Sequence, residues 1–118
     1  MRKILLALLV FATVALGADF SGTWTGAGVT DSGSHVLYFV FKQAGSEVTG
    51  TGGPNADEQH QMANGKVEGD KLKFDVPVGE KGTLHFELAA DGDGLKGTVE
   101  FKGEDHSESG TVTLKRAT

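Results

Sequence analysis

The 118-residue chain carries 11 basic and 16 acidic residues, a net charge of −5, with 18 glycines and no cysteine. This acidic balance repels nucleic acid and anionic membrane surfaces at long range, so neither is expected as a partner. The lack of cysteine excludes disulfides and thiolate metal sites, leaving buried apolar surface and closed strand edges as the sources of stability.

Met1, Arg2 and Lys3 precede an apolar run over 4–16 that ends among the small residues Ala15, Gly17 and Ala18. A positive start, a short apolar core and small residues predict a cleavable export leader over 1–17, with cleavage after residue 18 as the alternative. The run is short for a bilayer-spanning helix, and no cysteine follows it to carry a bacterial lipoprotein anchor. The expected product is a periplasmic or secreted single β-barrel domain over 18–118, with no membrane insertion once the leader is removed. Without Arg2 and Lys3 the basic residues fall to 9 against 16 acidic, a net charge of −7.

Beyond the leader no stretch sustains a helical period, and glycine and Gly-Asp pairs divide the chain into short alternating runs. Eight strands are predicted, over 19–29, 35–43, 47–52, 58–68, 71–77, 82–90, 94–102 and 107–116. Phe20, Gly22, Trp24 and Gly26 share one face of the first, and Leu37, Phe39 and Phe41 one face of the second. Leu72, Phe74 and Val76 follow on the fifth, Leu84, Phe86 and Leu88 on the sixth, and Leu95, Gly97, Val99 and Phe101 on the seventh. Lysine, glutamate and threonine alternate with them, giving each strand one dry and one wet face, as antiparallel pairing requires.

The connections fall into two sets. Residues 44–46, 68–70 and 90–93 are tight, glycine-bearing turns, whereas 30–34, 53–57, 78–81 and 103–106 read as mostly longer and more irregular. Connections in a meander alternate between the two ends, so one end is expected closed and the other open as a mouth. The fold class is all-β, an eight-stranded antiparallel up-and-down β-barrel. A barrel of this size either fills its interior with side chains or leaves room for one small ligand. Inward glycines at 22, 26, 50 and 97 favour free space, although strand glycine also marks bends at barrel corners.

With Gly22-x-Trp24 on the first strand and Lys115-Arg116 ending the last, the chain resembles the calycin group of β-barrels, which includes lipocalins and avidins. The resemblance implies that Trp24 lies across the barrel floor and that one of Lys115 or Arg116 packs over it, a closure in which Gly22 also takes part. The chain has no room for a lipocalin's C-terminal helix and is closer to the leaner avidin-like form. Avidins stack biotin among several tryptophans, whereas Trp24 and Tyr38 are each alone of their kind here, so biotin binding is not implied. The chain is also similar to small secreted bacterial β-proteins without an assigned function.

The four histidines, His35, His60, His85 and His106, all fall near the starts of even-numbered strands and hence at the mouth. Asp31, Asp57, Glu58, Glu80, Glu104, Asp105 and Glu108 gather there too. Imidazoles beside carboxylates can hold zinc, copper or nickel, or perform acid–base chemistry. By parity His35 and His60 face inward, His85 faces solvent, and His106 lies in a loop, so His35, His60 and His106 are the candidate metal ligands. Their spacing matches no metal motif, and no cofactor is demanded. Asp105-His106-Ser107 cannot act as a triad by adjacency alone, because neighbours on an extended chain point in alternate directions. Asp91-Gly92-Asp93-Gly94 lacks the later ligands of a calcium loop.

Three functions follow as expectations. The first is a noncatalytic binding protein for a small apolar or amphipathic ligand, lined by Phe39, Phe41, Phe74 and Phe86 with His35 and His60 near the mouth. The second is a metal-binding or metal-dependent enzyme using the rim histidines and carboxylates. The third is an envelope protein–protein interaction module presenting Val36, Tyr38 and Val40.

Overall fold

The computed structural model describes residues 19–117, and the expected leader lies outside the described residues. Nine strand segments follow in order: β1 (Gly22–Thr30), β2 (Gly33–Ala44), β3 (Glu47–Gly53), β4 (His60–Gln61), β5 (Ala63–Glu68), β6 (Lys71–Pro77), β7 (Gly82–Asp91), β8 (Gly94–Gly103) and β9 (Ser107–Arg116). The short β4 and β5 together make one stave, so the barrel has eight. Each stave pairs antiparallel with its sequence neighbour, and β1 pairs with both β2 and β9, which closes the ring.

Closure follows from alternation. The inward positions on every stave form a single core that includes Trp24, Phe39, Phe41, Val48, Met62, Leu72, Phe74, Phe86, Leu95 and Leu114, with no polar or charged side chain buried among them. Lys71, Lys73, Glu87, Lys96 and Glu100 occupy the exposed outer face of β6, β7 and β8. The outer face of β1 and β2 is less charged, with threonine, alanine, valine and Tyr38 beside the single lysine Lys42, and Val36 there is 67% exposed.

Four expectations are corrected. The first strand begins at Gly22 rather than residue 19, because Asp19 to Ser21 turn across the barrel floor. There the Phe20 amide donates to Gln43 Oε1 at 2.8 Å and the Gln43 amide to Ser21 Oγ at 2.9 Å. The 30–34 segment is no long loop: pairing runs on to Thr30↔Gly33, leaving only Asp31 and Ser32 as the turn. The fourth strand breaks at Met62, and its register shifts between Ala63 and Lys66. Asn64 sits there at φ 57°, a left-handed conformation that asparagine tolerates better than most side chains. Its amide donates to Asp75 Oδ2 at 2.9 Å, fixing the bulge to β6.

The inward glycines are the fourth correction. A Cβ on Gly26 would collide with the Thr113 carbonyl, and one on Gly97 with the Glu87 carbonyl. These glycines let neighbouring backbones approach at the barrel's bends, and they do not open cavity space.

Candidate functional site

The two ends of the barrel are built differently. At the end where β1 begins, Phe20 and Trp24 are each 2% exposed, and the Trp24 indole donates to the Phe20 carbonyl at 2.9 Å. Arg116 lies over the indole, its guanidinium carbon 4.4 Å from the ring centroid. It also donates to the carbonyls of Ser21 and Asp19, the latter at 2.9 Å. Gly22, at φ 129°, passes so close that a Cβ would stand 2.9 Å from Arg116 Nη1. Gly22, Trp24 and Arg116 therefore close the floor together. Lys115 does not take part: it pairs with Thr25 on the outer face and is exposed. Parity separates the two basic residues, since Arg116 continues the inward series Val112 and Leu114.

Above this floor, Phe39, Phe41, Phe74 and Phe86 form a layer across the barrel. Their ring centroids are 4.8–5.4 Å apart, stacked for Phe74–Phe86 and edge-on for Phe39–Phe86. Such spacing lets each ring edge meet a neighbouring face. The layer divides the interior into a filled lower half and an open upper half.

The upper half holds a cavity of about 320 Å³ reaching the loop end. Leu37, Phe39, Val76, Val78, Leu84, Phe86, Val99 and Phe101 line its apolar wall, and Thr30, Ser32, His35, His60 and Glu108 border it as the polar rim. Gly52 also borders it, and a Cβ at that position would strike the Phe39 ring, so this glycine makes room for the ring against β3. A volume near 300 Å³ is at the small end of the range for ligand-binding cavities.

Of the expected ligand-binding residues, Phe39, Phe86, His35 and His60 border the cavity, while Phe41 and Phe74 lie in the aromatic layer away from its wall. Leu37, Val76, Leu84, Val99 and Phe101 were identifiable as inward-facing from their alternation. Their height along the barrel was not, because strand tilt decides which inward residues share a layer.

The histidines separate. His35 Nε2 lies 3.3 Å from Ser32 Oγ and 3.4 Å from Thr30 Oγ1, within the β1–β2 turn. Ser32 Oγ in turn donates to Glu108 Oε1 at 3.3 Å, which joins the turn to β9. His106 tilts against Phe101, with ring centroids 5.4 Å apart. His85 faces outward as its parity required, with Nδ1 2.6 Å from Asp75 Oδ1. Among the described residues no group of three His, Asp or Glu side chains is placed to hold a metal ion, so His35, His60 and His106 are not assembled as the expected ligand set. The Val36, Tyr38 and Val40 side chains share the outer face of β2, with Val40 39% exposed. No protein-family model, curated protein or solved structure matches this chain.

Proposed function

We propose that this protein is an exported, noncatalytic binder of one small apolar or amphipathic molecule, held inside a calycin-type barrel. The observation that carries the reading is the cavity of about 320 Å³, with an apolar wall and a polar rim, above a floor sealed by Trp24 and Arg116. Apolar surface exposed inside a cleft gains by excluding water in favour of an apolar guest, while a few polar groups at the mouth orient it. The Gly22, Trp24 and Arg116 floor supports the calycin resemblance. The positive start and short apolar run over 1–17, read from the sequence as an export leader, support a periplasmic or secreted location.

Native mass spectrometry of protein purified from its own host tests the reading. The expected spectrum contains a species heavier than the polypeptide by one small organic molecule, which is released on denaturation. Recovery of the bare polypeptide mass alone under gentle conditions overturns it.

A further inference from the structure

We infer that the cavity selects amphiphiles whose polar end is cationic, an ammonium or amidinium group received by Glu108. This inference rests on the reading of the cavity as a ligand site. Glu108 lies on β9 opposite Phe101, half-buried at the mouth, and among the described residues is the only carboxylate or permanently charged side chain bordering the cavity. None of the ion pairs among the described residues includes it. Its one side-chain partner among them is the Ser32 hydroxyl, which donates to Oε1.

A guest whose apolar body fills the space between Phe39, Phe86 and Leu84 brings its polar end to this carboxylate and displaces water from it. A neutral head leaves the carboxylate with weaker partners than water supplied, and an anionic head meets like charge. A cation supplies charge-assisted hydrogen bonds in place of that water. The surroundings act in the same direction. Asp31, Asp57, Glu58, Glu80, Glu104 and Asp105 are exposed on the four connections around the mouth, where Lys81 and Lys102 are the cations. Lys102 stands near the end of β8 and pairs with Glu100 on the outer wall, so Lys81 is the one lysine on these connections among the described residues. Such a one-sided rim raises the local concentration of cationic molecules.

Octylammonium, 1-octanol and octanoate share one chain length and differ in head charge. Titration calorimetry of the purified protein with each probe, repeated with Glu108→Gln, separates the possibilities. Glu100→Gln, on the outer wall beside Lys102, serves as the control for net charge. The expected result is that octylammonium binds at least about 5-fold more tightly than the other two, and that Glu108→Gln removes this preference while Glu100→Gln keeps it. Equal binding of octylammonium and octanol, tighter octanoate, or equal losses in the two variants overturns the cation assignment and leaves the apolar cavity as a binding site. Failure of all three probes to bind overturns both.

Discussion

Arg116 shows how much one side chain can do at the end of a strand. Its guanidinium covers the Trp24 ring and donates to two carbonyls of the chain's entry segment. It thus joins a cation–π contact to charge-assisted hydrogen bonds that satisfy backbone outside the sheet. Arg116→Ala is expected to lower stability by about 1–2 kcal/mol in urea unfolding and to shift Trp24 emission to longer wavelength as water reaches the indole. Lys115→Ala, on the outer face, is expected to stay within about 0.5 kcal/mol of the parent with unchanged emission. Because Trp24 is the only tryptophan, the emission reports this floor alone. At the other end, Glu108 was as legible from parity as Arg116, since both continue the inward series of β9. What parity lacked was the identity of their neighbours: a ring beneath one, and open space beside the other.

At the scale of elements, period-two alternation carried most of the fold. Staves built from Leu72–Phe74–Val76 or Leu84–Phe86–Leu88 have one apolar and one polar face, and a slip of one residue would exchange them. The departures come where hydrogen bonds and local backbone geometry, rather than burial, decide the path. Asp19 to Ser21 leave the strand because Gln43 and Arg116 satisfy their backbone groups across the floor, a pairing with no periodic signature. The bulge at Asn64 is another case, set by one left-handed residue and its bond to Asp75. Asn64→Val is expected to cost about 2 kcal/mol, because a branched side chain resists positive φ and the bond is lost. Asn64→Gly keeps the backbone accessible and is expected to cost about 1 kcal/mol, for the bond alone. Chemical denaturation of the two variants checks this order. On the neighbouring outer face, Lys73 lies 3.3 Å from Glu87 and 3.7 Å from Glu68. The hydrogen bond to Glu87, then the charge of Glu68, hold its ammonium above the ordinary value of 10.5. A raised folded value means that this attraction is fully present below that pH and fades only as alkali deprotonates the lysine. Its exposure keeps the contribution to stability small.

For the whole molecule, the closed ring makes every edge depend on a partner distant in sequence. β1 is incomplete without β9, and Ser21 meets Arg116 from 95 positions away. Non-local pairing of this kind slows folding because loop entropy is lost before the closing contacts form. Refolding followed by Trp24 emission is expected to take milliseconds to seconds; completion within microseconds would show that the floor forms before the ring closes. The ring also explains why the exposed Val40 on β2 does not endanger the sheet, since its backbone lies between Thr23 of β1 and Thr51 of β3. The last strand has a further consequence in time. While the chain is being synthesised, residues 107–116 emerge after every other stave. Until they do, β1 and β8 each lack a neighbour and Trp24 has no lid. The arginine that seals the floor therefore also dates the closure: before it arrives the ring is open at β1 and β8, and afterwards it is shut.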